Sequence, residues 1–105
     1  MYSVLIIDKN EKRSLEIAKQ VTLLYSELSI ITISDIDSAM KKIKSEKPQL
    51  VVVSLEMKDS KGRDLLERLV KWDFKILIYQ NNELYEIVSR TAQSQGYVFE
   101  KVSLE

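Results

Sequence analysis

The feature that most constrains this chain is the alternation of short apolar runs with longer stretches that carry apolar residues at helical spacing. The short runs are YSVLIID, SIITIS, QLVVV, FKILIY and YVFEKV. Several are apolar at consecutive positions, which is typical of strands buried on both faces of a parallel sheet. The stretches between them repeat apolar residues every three or four positions, which indicates amphipathic helices. This pattern predicts a parallel sheet covered by helices.

Four helices are predicted between the five strands. Asn10, then Asp35 or Ser34, and Asn81 or Asn82 are the N-cap residues of the first, second and fourth helices. Pro48 ends the second helix, and Gly96 ends the fourth. The four apolar stripes are Ile17, Val21, Leu24 and Leu28; Ile36, Ala39, Met40 and Ile43; Leu65, Leu66, Leu69 and Val70; and Leu84, Ile87, Val88 and Ala92. We therefore expect one doubly wound α/β domain over residues 1–105.

Composition excludes several classes of function. The 16 basic and 16 acidic residues give a net charge of zero, so the chain lacks the positive field that nucleic acids require. Cysteine and histidine are absent, which excludes disulfides, thiolate metal sites, histidine triads and histidine phosphocarriers. With only two glycines, a dinucleotide or P-loop site is not supported, and no cofactor is expected. No apolar run approaches the roughly 18 residues of a membrane span, so we expect a cytoplasmic protein without membrane contact.

Candidate site residues follow from the predicted topology. Open parallel sheets bind ligands outside the carboxyl ends of their strands. The residues at those ends are Asp8 and Lys9 after the first strand, Ser54 after the third, Tyr79 after the fourth and Lys101 at the fifth. We expect these five side chains to lie along one edge of the sheet.

Two segments resemble a known family. VLIIDKN resembles the opening strand of response-regulator receiver domains, and PQLVVVSLEMKDSKG resembles their third strand and the loop that follows it. Met57 and Gly62 fall where that loop usually has the same residues, and Lys101 matches the family lysine near the fifth strand. The resemblance implies a flavodoxin-like, five-stranded parallel sheet of order 2-1-3-4-5.

The resemblance also implies roles for the residues at the strand ends. In receiver domains an acid pair holds Mg²⁺, an Asp on the third strand accepts phosphoryl from a histidine kinase, and the lysine pairs with the phosphate. Asp8 and Lys101 match this pattern, whereas Lys9 replaces the second acid, Ser54 the acceptor and Tyr79 a small hydroxyl residue.

These replacements predict a degenerate phosphorylation site. A serine hydroxyl needs a base to become a nucleophile, and an ammonium in place of an acid repels Mg²⁺. We therefore expect Ser54 to cap its strand. Lys9 could point into the pocket beside Asp8, or it could point outward as a solvated charge. Lys101 could form an ion pair with Asp8, or it could be an ordinary surface lysine. Glu56, two residues past Ser54, could join Asp8 in a weak divalent site, or it could be an ordinary solvated carboxylate. No metal ion is expected.

With the phosphorylation site degenerate, a protein-interaction surface is the remaining candidate for function. Receiver domains commonly present their fourth helix, fifth strand and fifth helix to a partner. Residues 1–105 end directly after the predicted fifth strand, so we expect that they do not include the last helix, which could belong to a longer protein. The apolar and aromatic candidates for a protein partner or a homodimer at the fourth-helix and fifth-strand face are Tyr85, Tyr97, Val98 and Phe99.

Two functional hypotheses stay open. The first is a pseudo-receiver, a non-enzymatic signalling domain that acts through protein–protein interaction. The second is a regulatory switch phosphorylated on Ser54 or on Ser60, since KDSKG is similar to the DSSG segment of anti-sigma-factor antagonist domains. An enzyme is not expected, because the candidate residues do not form a nucleophile, base and orienting group.

Overall fold

The computed structural model describes residues 2–54, 60–90 and 97–103. Within these ranges the chain forms six strands and three helices. In chain order they are β1 (Tyr2–Ile7), α1 (Glu11–Leu24), β2 (Leu28–Ile33), α2 (Ile36–Glu46), β3 (Leu50–Ser54), α3 (Ser60–Lys71), β4 (Lys75–Gln80), β5 (Glu83–Arg90) and β6 (Tyr97–Lys101).

The six strands form one mixed sheet of order β2-β1-β3-β4-β5-β6. The first four strands are parallel to one another, as the apolar runs predicted. The last two pairs, β4 with β5 and β5 with β6, are antiparallel. The protein is therefore an α/β domain whose sheet begins in flavodoxin-like order, and the prediction of an all-parallel, five-stranded sheet is wrong for its second half.

Two apolar cores lie on the two faces of the sheet. The core under α1 contains Val4, Ile6, Ile17, Val21, Leu50, Val52, Leu77, Tyr79 and Leu84. The core under α2 and α3 contains Leu5, Ile7, Ala39, Ile43, Val51, Val53, Leu65, Leu69, Ile76 and Ile78. All five residues of β3 are buried, because both of its faces are covered. None of the helices in the described ranges is long and apolar enough to span a membrane.

Two predicted N-caps are confirmed. Asn10 Oδ1 accepts a hydrogen bond from the backbone N–H of Arg13 at 3.0 Å, and Asp35 Oδ1 accepts one from Ser38 at 2.7 Å. The first helix is shorter than its apolar stripe suggested, because it ends at Leu24 and Leu28 already belongs to β2. Both caps begin helices at the carboxyl edge of the sheet, where the candidate site was predicted.

The predicted fourth helix is a strand. Leu84 packs into the core under α1 while Ile87 packs against the core under α2 and α3, so the supposed helical stripe divides between the two faces of β5. The cause is the pair Asn81 and Asn82, whose φ angles of 52° and 62° make a two-residue turn between β4 and β5. Type I′ hairpin turns require positive φ at both central residues, and asparagine tolerates it. Ala92 and Gly96, also assigned to that helix, lie outside the described residues.

The predicted fifth strand is β6, and it reaches the sheet through the hairpin and not through a helical crossover. β6 pairs with β5 with an irregularity between Ile87 and Ser89. The N–H of Val102 donates to the carbonyl of Leu84 at 2.9 Å and extends this pairing beyond the strand. One whole strand, β5, therefore separates the residues of β6 from β4.

We expect Asn82→Val to lower the free energy of unfolding by about 1–2 kcal/mol, because a left-handed backbone brings Cβ against the following carbonyl oxygen. Asn82→Gly should leave stability unchanged or raise it, since glycine adopts positive φ without this clash. Urea unfolding followed by circular dichroism measures both changes. Gln80→Val, in the adjacent strand, is the control, and equal stability of the Asn82→Val and Asn82→Gly proteins would contradict the turn.

Candidate functional site

Asp8 lies directly after β1 and is the central residue of the carboxyl edge. It is only 2% exposed. Its backbone N–H donates to the carbonyl of Ile33 at 3.1 Å, and its Oδ1 accepts from the backbone N–H of Asn10 at 2.9 Å. These contacts fix the carboxylate between the end of β2 and the start of α1.

Arg13 donates hydrogen bonds to both oxygens of the Asp8 carboxylate. Its Nε donates to Oδ2 at 2.5 Å and its Nη2 donates to Oδ1 at 2.5 Å, which is the bidentate arrangement that a planar guanidinium favours. The side chain of Asp8 is 0% exposed and that of Arg13 is 17% exposed. The sequence prediction missed Arg13. The available signal was the Asn10 cap, which places Arg13 three residues into the first turn, beside the end of β1.

A cavity of ≈ 450 Å³ opens beside the ion pair. Lys9 is exposed and lines this cavity, while Ser14 is buried and donates its hydroxyl to the carbonyl of Asn10 at 3.1 Å. The full lining is Asp8, Lys9, Glu11, Ser14, Thr32, Ile33 and Ser34. The cavity is therefore built from β1, β2 and the start of α1.

Ser54 is the last residue of β3 and is 2% exposed. Ile7 pairs with Val53 across the parallel strands, so the next step of the register places Ser54 level with Asp8. On its other side Ser54 pairs with Tyr79 of β4. The structure thus brings Asp8, Ser54 and Tyr79 to one edge of three adjacent strands.

Tyr79 is buried at this edge, with 3% exposure. Its hydroxyl accepts a weak hydrogen bond from Gln20 Nε2 at 3.5 Å, and the same amide donates to the carbonyl of Asn82 at 3.0 Å. Burial raises the pKa of the Tyr79 phenol above its ordinary value, and the negative charge of Glu16 adds to the increase. Tyr79 is therefore a neutral, packed residue that connects α1 to the hairpin.

Lys101 takes a different partner from the one predicted. Its ammonium lies 2.8 Å from Glu83 Oε1, and the hydroxyl of Tyr85 donates to Glu83 Oε2 at 3.0 Å. The hydrogen bond to Glu83 raises the pKa of Lys101 and lowers that of Glu83. Of the two alternatives for Lys101, the ion pair with Asp8 is not formed, because β5 lies between β4 and the strand that carries Lys101. The Lys101 side chain is 61% exposed, as expected for a surface lysine.

The residues predicted for partner binding lie on the β5–β6 hairpin. Tyr85 is half-buried and packs with Ile87 against the core under α2 and α3, and Phe99, which pairs with Ile87 across the strands, is 40% exposed. The backbones of Tyr97 and Val98 belong to β6, and their side chains lie outside the described residues, as does Glu56.

Comparison of the chain with known protein families finds no match, and comparison with curated proteins finds no relative. In residues 2–54, 60–90 and 97–103, no group of three or more His, Cys, Asp or Glu side chains is arranged to hold a metal ion. The structure supports an α/β domain whose sheet begins in flavodoxin-like order, with a carboxyl edge held by an internal ion pair.

We expect Arg13→Met to lower the free energy of unfolding by about 3 kcal/mol, because it leaves the Asp8 carboxylate buried without its cation. Asp8→Asn combined with Arg13→Met should recover part of this loss, since the neutral amide is less costly to bury. Chemical denaturation of the four proteins of this cycle measures the coupling. The exposed neighbour Lys12→Met is the control, and an Arg13→Met protein as stable as that control would contradict the role of the pair.

Proposed function

We propose that this chain is a receiver-like signalling domain that acts by binding another protein and does not accept phosphoryl at its third strand. The observation that carries the proposal is the occupation of both Asp8 oxygens by Arg13. In receiver domains the corresponding acid serves the metal that phosphoryl transfer requires. The Arg13 guanidinium at that carboxylate supports a domain that has the strand-end residues of a receiver but does not transfer phosphoryl.

The residues at the carboxyl edge do not fit Mg²⁺. This ion requires a near-octahedral cage of oxygens, with one or two carboxylates free to bind it. Asp8 is held by Arg13, and Lys9 supplies a positive charge where receiver domains have a second acid. No step of the proposed function is therefore assigned to a metal.

The burial of Ser54 also supports binding over phosphorylation. Its hydroxyl is not ionised at neutral pH, and at 2% exposure it is closed to the active site of a kinase. Ser54 therefore fits the strand-capping interpretation better than the switch.

Ser60 keeps the second hypothesis open. It is the first residue of α3, where an added phosphate would meet the positive end of the helix dipole. Mass spectrometry of protein purified from its native cell tests this alternative directly, because phosphoserine at position 60 would favour the switch over constitutive binding.

The hairpin replaces the predicted fourth helix as the proposed interaction surface. Tyr85, Ile87 and Phe99 lie on the same face of β5 and β6, and Phe99 is substantially exposed. In the described part of the sheet, β6 is the outermost strand, and an antiparallel edge of this kind can pair with a strand of another chain. We therefore extend the proposal to a second copy of the domain, paired through β6.

Substituting Ser54→Asp should not make the protein accept phosphoryl from acetyl phosphate, because Arg13 and Lys9 would still oppose a metal beside Asp8. Intact-mass spectrometry in the presence of Mg²⁺ measures the outcome, and a receiver domain with a complete acid set is the positive control. Phosphorylation of the Ser54→Asp protein, or saturable NMR shifts at Asp8 when beryllofluoride and Mg²⁺ are added to the wild type, would contradict the proposal.

Self-association should depend on the exposed face of the hairpin. We expect the wild-type protein to dimerise as its concentration rises and Phe99→Ser to remain monomeric, because the substitution removes apolar area from that face. Size-exclusion chromatography with light scattering measures the mass, and Leu15→Ser, at an exposed position of α1, is the matched control. A wild type that is monomeric at every concentration tested contradicts the homodimer.

A further inference from the structure

A groove lies between the carboxyl-terminal ends of α2 and α3, at the opposite edge of the sheet from Asp8. It has a volume of ≈ 360 Å³ and is lined by Ile43, Lys44, Lys47, Trp72 and Phe74. We call it the Trp72 groove. Its base is apolar, since Ile43 belongs to the core and Phe74 packs against that core.

The end of α3 holds the two aromatic walls in place. Asp73 adopts a left-handed conformation with φ of 61°. Its N–H donates to the carbonyl of Val70 and the N–H of Phe74 donates to that of Leu69, each at 3.1 Å. This is the hydrogen-bond pattern of a Schellman cap, which fixes the direction of the chain after a helix. Trp72, immediately before the cap, is left 40% exposed.

The end of α2 supplies a basic rim. Lys47 caps the helix with φ of 47°, and its N–H donates to the carbonyl of Ile43 at 3.0 Å. The nearby carboxylate of Glu46 is already paired with Lys42 at 2.9 Å. Neither the Lys44 nor the Lys47 ammonium forms an ion pair or hydrogen bond with any residue described in the structure. Two lysine side chains therefore line the groove beside its apolar base.

We propose that the Trp72 groove binds an acidic peptide segment of a partner protein. An apolar side chain of the segment enters the groove against Trp72 and Phe74, and its carboxylates pair with Lys44 and Lys47. The two cations on the rim match acidic residues on either side of an inserted apolar side chain. This inference does not depend on the receiver-like assignment, because it uses no residue of the carboxyl edge.

A random peptide display library, panned on the folded wild-type protein, identifies the preferred sequence. Enriched peptides should contain an apolar residue flanked by Asp or Glu. Trp72 is the single tryptophan of the chain, so its fluorescence reports binding of a synthetic peptide directly. The enriched peptide should shift the emission to shorter wavelength in a saturable manner, and added salt should weaken its binding.

Charge reversal distinguishes peptide binding in this groove from non-specific electrostatic attraction to the protein. Lys44→Glu combined with Lys47→Glu should weaken peptide binding by about tenfold or more, because both carboxylate partners become repulsive. Lys12→Glu combined with Lys19→Glu changes the net charge by the same amount on exposed positions of α1 and should leave binding unchanged. Circular dichroism of both double variants checks that they are folded.

Several outcomes overturn the proposal. The first is panning that enriches no peptide, or only peptides without acidic residues. The second is equal peptide binding by the two double variants. The third is a Trp72 emission that responds to phosphatidylserine vesicles but to no peptide. The last result would assign the groove to a membrane surface.

Discussion

The bidentate ion pair between Asp8 and Arg13 is the interaction on which the carboxyl edge of this sheet depends. β1 is a central strand that pairs with both β2 and β3, so the position of its last residues sets the edge for its neighbours. The side chain of Asp8 is fully buried, and it connects that strand to the first turn of α1 through Arg13 and Asn10. Removing Arg13 would leave the buried Asp8 carboxylate without its cation, and breaking a buried ion pair in this way is far more costly than keeping it.

The same pair is the main support for the proposal that this domain binds a partner and does not accept phosphoryl at the carboxyl edge. Open α/β sheets normally use the carboxyl edge to hold a ligand, because the strand ends and helix starts leave polar groups unpaired there. In this protein the carboxylate has its cation, Ser54 is buried, and Tyr79 is neutral and packed against α1. The two surfaces proposed for partners lie elsewhere, on the β5–β6 hairpin and in the Trp72 groove, where apolar side chains are exposed.

Sequence reasoning found part of the candidate site. It placed Asp8, Ser54 and Tyr79 at strand ends because each follows an apolar run, and parallel strands end at a common edge. It missed Arg13, since a charged residue in the first turn of a helix is usually solvated and only the course of the chain after β1 brings it to Asp8. It paired Lys101 with Asp8 because it assumed a last strand directly beside β4, whereas β5 lies between β4 and β6 and Lys101 pairs with Glu83.

The sequence by itself determined the first four strands, the three helices between them and the caps at Asn10 and Asp35. In these segments the hydrophobic period indicates the type of element, and for α1 and α2 the capping residue marks the start of the helix. Only the tertiary structure decided residues 83–90. Leu84 and Ile87 are three positions apart, a spacing that suits one face of a helix and equally the two opposite faces of a strand that is buried on both sides. Pairing with β4, made possible by positive φ at Asn81 and Asn82, settled the choice in favour of the strand, since a strand's hydrogen bonds lie with its neighbours and not within its own sequence.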